Sequence, residues 1–258
     1  MNLVAPIRIL RDVQEAGDDR LVTICDFCYN SLKRANYRIR NNELDRTRVN
    51  AFLAENEPRR AYLPDPGEYT PDEGGVRVMH LMEYLRDVVG YDRIAEAVKV
   101  SLGGMSIAPY YGCVMLRPEE EMGLDDMEDP SIMEDLVTAM GGTPVDYPYR
   151  TVCCGSYLSV SFPESSTRLC HHIIESAMDH GAEAFVVSCP LCYYNLDSRQ
   201  DDIAARYPGA KSIPVIYFTE MLALALGVGP ETIATDKHHV DPAPFLEKVV
   251  GAAAGGDR

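Results

Sequence analysis

The sequence predicts an α/β protein built from two related units with mostly parallel sheets, the first unit being incomplete. Three observations support this fold class. Short apolar runs alternate with longer segments of helical period, two parts of the chain repeat one another, and most cysteines follow the apolar runs in groups. Parallel strands need a crossover connection, which is usually a helix, so regular alternation favours βαβ units.

Seven stretches have the apolar period of a helix. They cover residues 3–16, 28–56, 76–102, 130–141, 164–180, 191–206 and 217–227. Four β-branched or aromatic runs lie between them and predict strands at 21–24, 107–111, 185–188 and 213–217. Gly181 follows a predicted helix at the position where a C′ glycine is expected. The tail after Gly227 predicts an extended arm closed by a short helix.

A stretch rich in proline and glycine, residues 63–75, has no apolar period and predicts a linker. It separates a remnant of a first unit, residues 1–62, from a complete second unit with a C-terminal arm, residues 76–258. We therefore expect two domains of unequal completeness.

An internal repeat relates these two units. The segment AGDDRLVTICDFCYNSL, from Ala16, matches HGAEAFVVSCPLCYYNL, from His180. Both contain a glycine, a short strand and the pattern C-x-x-C-Y-x-x-L. In the second unit a cysteine pair begins 36 residues before Cys189, and the same offset from Cys25 falls before residue 1. We expect the first unit to be completed by another polypeptide or by an upstream part of the same frame, or to have been lost.

The charge and the cysteine content of the sequence indicate which binding partners and which chemistry to expect. The formal net charge is −16, which argues against binding to nucleic acids or anionic membranes, since both need a basic surface. The sequence has no apolar run of roughly 18 residues and no signal-peptide pattern, so we expect a cytoplasmic protein without a membrane span. Its eight cysteines then predict metal or redox chemistry more than structural disulfides.

Five of the cysteines form a constellation in the second unit. Between Cys113 and the Cys153-Cys154 pair stand 39 residues, and 34 residues separate that pair from Cys189, which is followed by Cys192. Four thiolates would complete a zinc site or a cubane cluster, whereas five exceed either, and adjacent cysteines suit neighbouring irons of a larger cluster. Structural zinc and buried free thiols remain the alternatives. Because each group follows a strand, we expect all five at the carboxyl ends of a parallel sheet.

The remaining candidates have weaker patterns. Cys25 and Cys28 alone fit a redox dithiol, half of a zinc site or a relic, and we favour half of a cluster site completed from outside the chain. Cys170 lies on a predicted helix and is interpreted as a core thiol. His238 and His239, in the tail, are candidates for protonating a leaving thiolate.

The whole pattern resembles a known family. The motifs are the five-cysteine spacing and the segments PYYGCVMLRP, VMHLMEYL, VIYFTEMLALALG and KHHVDPAP. They resemble the cysteine-rich CCG domain, and most closely the B-type subunit of heterodisulfide reductase. The resemblance implies two pseudo-symmetric CCG-type units, each holding a noncubane [4Fe-4S] cluster through five cysteines. Members of the family use the two clusters to cleave the coenzyme M–coenzyme B disulfide.

Carried over residue by residue, the resemblance assigns Cys113, Cys153, Cys154, Cys189 and Cys192 as catalytic ligands of the second cluster. Cys25 and Cys28 match the last two ligands of the first, where a second cluster or zinc would be shared. The implied partners are an iron–sulfur electron-donating subunit (C-type in the family), a flavin subunit (A-type in the family), a polypeptide supplying the missing half, and a disulfide substrate. The sequence itself has no G-x-G-x-x-G or phosphate-binding loop motif.

A second hypothesis comes from a different class of protein. Relatives with CCG domains also occur in succinate-, glycolate- and lactate-oxidising complexes, where they pass electrons. The chain would then be a non-catalytic relay or docking subunit of a CCG-containing oxidoreductase complex, with zinc in the remnant site.

Overall fold

The computed structural model describes residues 2–57, 61–62, 75–229 and 235–255. The chain forms two compact units. Unit 1 comprises Met1–Tyr84 and Val114–Leu124, and unit 2 comprises Leu85–Cys113 and Asp125–Arg258. Each unit contains its own parallel sheet.

Unit 1 is a small α/β unit. Its elements are α1 (Val4–Glu15), β1 (Arg20–Thr23), α2 (Asp26–Asn41), α3 (Glu43–Asn56), β2 (Arg77–His80), α4 (Leu81–Tyr84) and α6 (Glu119–Met122). The two strands pair in parallel, with Thr23 opposite His80. The first strand leads directly to Cys25, which is the N-cap residue of α2.

The predicted helix over 28–56 is two helices in the structure. Asn42 ends α2 and caps α3, because its side chain accepts a hydrogen bond from the amide of Asp45 at 3.0 Å. The apolar face of α2, with Tyr29, Leu32 and Ile39 buried at helical spacing, packs in the core of unit 1.

The predicted helix over 76–102 is wrong at its start. Residues 77–80 form β2, which continues into α4, a π-helical turn (Leu85–Val89) and α5 (Tyr91–Ala97). Val78 and Met79 are both buried, as expected for a strand covered on two faces, so pairing with β1 overrides the local helical period. The predicted linker falls on 63–74, outside the described residues, and on Gly75. Since β2 and α4 belong to unit 1, the compact units divide the chain later than the expected boundary at residue 76.

Unit 2 is the larger α/β unit. Beyond α5, its elements are β3 (Ser106–Tyr110), α7 (Ile132–Ala139), β4 (Thr143–Pro144), α8 (Pro163–Asp179), β5 (Ala184–Val187), α9 (Pro190–Ser198), α10 (Gln200–Arg206), β6 (Val215–Tyr217), α11 (Phe218–Ala225) and α12 (Ala243–Gly255). The strand order is β4-β3-β5-β6, and every neighbouring pair is parallel. The α/β fold class predicted from the sequence is confirmed.

The topology of unit 2 determines where a site forms. The chain moves from β3 to one side of the sheet and from β5 to the other, so the order reverses between these two strands. Such a switch point opens a crevice at the carboxyl ends of the strands. Cys113 follows β3 and Cys189 follows β5, so both sides of the crevice carry thiols. Among the described residues, no helix combines the length and apolar character needed to cross a bilayer.

Candidate metal centre

Five cysteine side chains gather beside the β3–β5 switch point of unit 2. The Sγ atom of Cys113 lies 3.5 Å from that of Cys153, and the Sγ atom of Cys154 lies 3.4 Å from that of Cys192. Cys189 is close enough to raise the pKa values of both Cys113 and Cys192. The structure therefore brings together all five cysteines that the sequence pattern selects.

Hydrogen bonds at the end of β3 bring distant segments together. The amide of Gly112 donates to the carbonyl of Arg150 at 3.3 Å, and the Tyr110 hydroxyl donates to the carbonyl of Val152 at 2.6 Å. These bonds attach the loop after β3 to the segment that leads into Cys153. Thiols that are 40 positions apart in the sequence thus become neighbours.

Two glycines allow the backbone beside the thiols to pack closely. Gly112 has φ +66°, and a Cβ atom there would lie 3.0 Å from the Sγ atom of Cys192. Gly155 has φ +74°; its amide donates to the Sγ atom of Cys153 at 3.3 Å, and a Cβ atom would lie 2.8 Å from Leu169 Cδ1. Both positions require a left-handed backbone and close packing, which glycine alone supplies without strain.

The C-x-x-C segment begins helix α9. Cys189 is its N-cap residue, Pro190 occupies the first turn, and Cys192 follows within that turn. Both thiols are almost fully buried. The N-terminus of a helix favours negative charge, so this placement stabilises thiolates.

A buried polar network lies beneath the cysteine pair. The Asn195 Nδ2 atom donates to the carbonyl of Cys154 at 3.2 Å and to the Ser166 hydroxyl at 3.0 Å, and the Asn195 Oδ1 atom accepts from the Ser159 hydroxyl at 2.8 Å. The Cys170 thiol donates to the same Cys154 carbonyl at 3.5 Å. The network therefore fixes the backbone of the pair from below.

Asn195 is not among the residues that the sequence predicted, although a signal existed. The residue stands three positions after Cys192, so it extends the motif to C-x-x-C-x-x-N. Cys170 is fully buried on α8, as expected of a core thiol.

The thiols strongly affect one another's ionisation. Hydrogen bonds from the Cys113 and Cys154 thiols lower the pKa of Cys153 to about 2. The hydrogen bond with Cys153 raises the pKa of Cys154 to about 11 and raises that of Cys113 as well. The pKa of Cys192 is raised by its contacts with Cys154 and Cys189 and by burial. One thiolate is thus accommodated, whereas several together require a cationic centre.

The donor set fits a cluster better than a single ion. Within the described ranges, no three Cys, His, Asp or Glu side chains are placed to hold one metal ion. A structural zinc would need four donors at about 2.0–2.3 Å from one point. The two close thiol pairs together with Cys189 offer five soft donors, one more than a tetrahedral zinc takes, and soft thiolates are the ligands of iron–sulfur clusters.

Cys25 and Cys28 form a separate pair in unit 1. The amide of Cys28 donates to the Sγ atom of Cys25 at 3.4 Å, and the Cys28 side chain is exposed. Burial raises the pKa of Cys25 to about 11. Behind the pair, Asp26 and His80 form a fully buried contact of 3.3 Å. The described part of unit 1 has no third cysteine beside these two.

The C-terminal arm packs on unit 2 through His238. The His238 Nδ1 atom lies 3.1 Å from the carbonyl of Val215, and the Nε2 atom lies 3.4 Å from Glu220 Oε1. The imidazole also packs edge-on against Tyr193, which directly follows Cys192, with 5.5 Å between ring centroids. His238 thus has a defined place in the fold.

The two histidines of the arm differ in their surroundings. Burial acts to lower the pKa of His238, but the hydrogen bond and charge of Glu220 outweigh it, so the pKa is raised. The backbone amide of His239 donates to Asp197 at 2.7 Å, and the residue is exposed. Of the two proton donors suggested by the sequence, His238 is therefore the one packed beside the C-x-x-C helix.

Comparisons with known proteins include the segment that carries this site. A family model described as a cysteine-rich domain, CCG, matches residues 107–197, a range that includes all five cysteines. The chain is similar to the B-type subunit of the ferredoxin:CoB-CoM heterodisulfide reductase of Methanosarcina mazei, at 27% identity over 256 residues covering 98% of this chain and 78% of that protein. A protein of Archaeoglobus profundus, named as similar to the B-type heterodisulfide reductase subunit, is 30% identical over 226 residues, covering 86% of this chain and 71% of that protein.

One further relative and one solved structure are also similar to the chain. The 8-methylmenaquinol:fumarate reductase membrane anchor subunit of Wolinella succinogenes is 27% identical over 221 residues, covering 86% of this chain and 72% of that protein. The crystal structure of a hypothetical protein from Helicobacter pylori superposes with a TM-score of 0.69 at 13% identity. It covers 92% of this chain, which spans only 41% of that longer chain. At this identity the structural likeness shows the fold alone.

Proposed function

This chain belongs to the family of B-type heterodisulfide reductase subunits, and from that premise we propose that it reduces a disulfide of the CoM-S-S-CoB type at a noncubane [4Fe-4S] cluster. The observation that carries the proposal is the gathering of Cys113, Cys153, Cys154, Cys189 and Cys192 at the switch point of unit 2. The more general statement, that the chain is a subunit of an iron–sulfur reductase family, follows from its relatives.

The roles of the chain's own residues follow from their contacts. The five thiols would hold the cluster, and the cluster would supply electrons and an iron site for the substrate sulfur. Gly112 keeps one approach to Cys192 free of side-chain atoms, and Asn195 positions the backbone of Cys154. Splitting a disulfide into two thiols consumes two electrons and two protons, and His238, whose Nε2 atom lies 3.4 Å from Glu220, is the proposed donor of a proton.

The electrons come from other proteins in this proposal. We infer an iron–sulfur subunit that donates them and a flavin subunit that feeds it, because the sequence has no G-x-G-x-x-G or phosphate-binding loop. A further polypeptide would complete the metal site at Cys25 and Cys28 in unit 1. We place the assembly in the cytoplasm.

A second candidate is an electron relay or docking subunit, with zinc at Cys25 and Cys28. The similarity to a subunit named for a menaquinol:fumarate reductase favours it. In the described part of unit 1 the metal site has only two thiols, Cys25 and Cys28. The chain alone would then hold one cluster, and one cluster cannot bind both halves of a cleaved disulfide.

Metal analysis of the anaerobically purified complex tests the proposal. We expect about four irons and four sulfides per chain in unit 2, and disulfide cleavage when a reduced dye supplies electrons. Cys154→Ser should lose most of the iron. Cys170→Ser is the matched control and should keep it, because a hydroxyl still donates to the Cys154 carbonyl. Zinc without iron would refute the cluster, and iron without disulfide cleavage would favour the relay.

A further inference from the structure

A cluster of polar side chains lies at the turn after β3 and contributes no ligand to the metal centre. Tyr111 is fully buried, and its hydroxyl donates to the carboxylate of Glu134 on α7. The same hydroxyl accepts a hydrogen bond from the amide of Met133 at 2.9 Å. Tyr111 is therefore bonded, through one oxygen, to the backbone and to a side chain of the first turn of α7.

Arg150 joins this cluster from the segment that leads to Cys153. Its carbonyl accepts hydrogen bonds from the amides of Tyr111 at 2.9 Å and Gly112 at 3.3 Å. Its Nε atom lies 3.8 Å from the Oε1 atom of Glu134. Arg150 is therefore connected to the turn after β3 twice, through its own carbonyl and, by way of Glu134, through the phenol of Tyr111.

The two residues that Glu134 contacts each lie close to a thiol in sequence. Cys113 stands two residues after Tyr111, and Cys153 stands three residues after Arg150. The Sγ atoms of these cysteines are 3.5 Å apart. The carboxylate of Glu134 therefore connects the two short segments that end at neighbouring thiols.

The charge of Glu134 is only partly compensated in the fold. Its side chain is 16% exposed and that of Arg150 is 12% exposed. Its Oε1 atom is buried and has no hydrogen-bond partner among the described residues. Arg150 also pairs with Asp129 and Asp146, so its positive charge is shared among three carboxylates. Protonation of Glu134 therefore costs less than at an exposed glutamate, and it removes the attraction to Arg150.

The ionisation of Glu134 depends on the groups that face it. Burial raises its pKa above the ordinary value of 4.5, although the hydrogen bond from Tyr111 and the charge of Arg150 oppose this. Asp125, in the loop before α7, raises the pKa further, because a second negative charge disfavours the carboxylate. Tyr147, after β4, also faces Glu134. The carboxylate is therefore lost at a higher pH than that of an ordinary glutamate.

We propose that Glu134 is a positioning residue of the metal centre. Through Tyr111 and Arg150, its carboxylate fixes the spacing of two ligand thiols, and this control weakens when the carboxylate takes up a proton from solvent. The two thiols are those of Cys113 and Cys153. The inference rests on the proposed function, which assigns these thiols to a cluster, and it deepens that function by adding a pH-sensitive control of the same site.

Glu134→Gln tests the proposal in the isolated full chain, purified anaerobically with its metal. The amide keeps an acceptor for the Tyr111 hydroxyl but removes the charge that faces Arg150. We expect the variant to release iron to a chelator about tenfold faster than the wild type at pH 8, as for the loss of one charged contact. The difference should shrink as the pH falls towards 5, because the wild-type carboxyl then becomes neutral as well. Equal rates at pH 8, or a difference that is constant with pH, would overturn the proposal.

Glu83→Gln is the matched control. Glu83 is also buried, lies 3.2 Å from the hydroxyl of Tyr29 and pairs with Arg77 at 3.1 Å, but it belongs to unit 1. The same chemical change should therefore leave the rate of iron release within about twofold of the wild type. Equal acceleration in the two variants would overturn the proposal, because it would show a general loss of stability.

Amide hydrogen exchange of the wild type keeps the proposal testable if Glu134→Gln fails to fold. The Tyr111 and Gly112 amides, corrected for the intrinsic pH dependence of exchange, should lose about tenfold protection between pH 8 and pH 5. The Phe185 amide, bonded to the Pro214 carbonyl at 2.9 Å in the same sheet, is the reference and should change less than about twofold. Equal changes at the three amides would overturn the proposal.

Failure of the proposed function gives a different result. A chain that holds zinc without iron, but whose Tyr111 and Gly112 amides lose protection at low pH, refutes only the reductase. An iron-loaded chain in which these two amides show no pH dependence beyond that of Phe185 refutes only the positioning role of Glu134.

Discussion

At the scale of single residues, the metal centre depends on backbone positions around the thiols. Gly112 approaches Cys192 so closely that a methyl group there would meet its sulfur at 3.0 Å. The Asn195 side chain donates a hydrogen bond to the Cys154 carbonyl at 3.2 Å. Changes at these two residues should therefore disturb the cluster without removing a ligand.

Gly112→Ala should destabilise the chain and lower its iron content. The positive φ costs about 1 kcal/mol for alanine, and crowding against Cys192 adds about 1–3 kcal/mol. Gly181→Ala is the matched control, because Gly181 has φ +89° and no atom lies within 4 Å of the added carbon. Iron per chain and thermal unfolding measure both variants. Equal iron loss in the two would show that crowding at the thiol has no effect.

Asn195→Asp should alter the cluster environment while preserving shape. A carboxylate cannot donate to the Cys154 carbonyl, so this buried acceptor loses its shortest hydrogen bond and keeps only the longer ones from Ser166 and Cys170, at a cost of about 1 kcal/mol. Asn56→Asp makes the same chemical change at an exposed site on α3 and should change the free energy of unfolding by less than about 0.5 kcal/mol. The electron paramagnetic resonance spectrum and the iron content measure the effect. A spectrum identical to that of the wild type would contradict a positioning role.

The sequence predicted the thiols but not the residues that position them. Spacing and strand order are enough to bring Cys113 and Cys189 to one crevice, because parallel strands share a carboxyl edge. The contacts of Asn195 depend on how α8 and α9 pack, and no sequence period encodes them. Gly155 directly follows the cysteine pair and has a φ of +74°, which its identity as a glycine permits.

At the scale of elements, the sequence predicted those strands whose apolar run is separated from the neighbouring helices. The runs predicted at 21–24, 107–111, 185–188 and 213–217 match β1, β3, β5 and β6 within two residues. Strand β2 was missed because it passes into α4 without a turn residue. Its partner β1 lies more than 50 residues earlier, so only tertiary pairing identifies it as a strand.

The C-terminal arm should stabilise unit 2 in a pH-dependent manner. Glu220 raises the pKa of His238 above its ordinary value of 6.5. The resulting stabilisation is complete below that value and is lost as the pH rises through the raised pKa. His238→Gln should therefore lower the free energy of unfolding by about 1.5 kcal/mol at pH 6, and the difference should shrink towards pH 9.

His239→Gln is the control for the arm. That residue is exposed and bonds through its backbone amide, so its substitution should leave the pH profile unchanged. Other ionisable groups that face His238 are Asp197 and Tyr193 on α9, and both are present in each variant. Denaturant unfolding from pH 5 to 9 measures the profiles. Parallel profiles for the two variants would contradict a role for the Glu220 contact.

At the scale of the whole molecule, one motif occurs in two different surroundings. In unit 2 the C-x-x-C thiols are buried among three further cysteines, whereas in unit 1 they form an open pair with Cys28 exposed. The repeat relates Cys28 to Cys192 by an offset of 164 residues. Identical substitutions at these two positions therefore compare a complete donor set with an incomplete one.

Cys192→Ser should lower the iron content of the isolated chain, whereas Cys28→Ser should leave it unchanged. Serine at 192 replaces a buried soft donor 3.4 Å from Cys154, so iron per chain should fall by more than half. Serine at 28 changes an exposed thiol in a pair that lacks further donors within the described unit 1, so the iron content of the isolated chain should stay unchanged. In the complex with the partner polypeptide, Cys28→Ser should remove metal from unit 1 only. Equal iron loss from the two variants of the isolated chain would show that the unit 1 pair already holds iron without a partner.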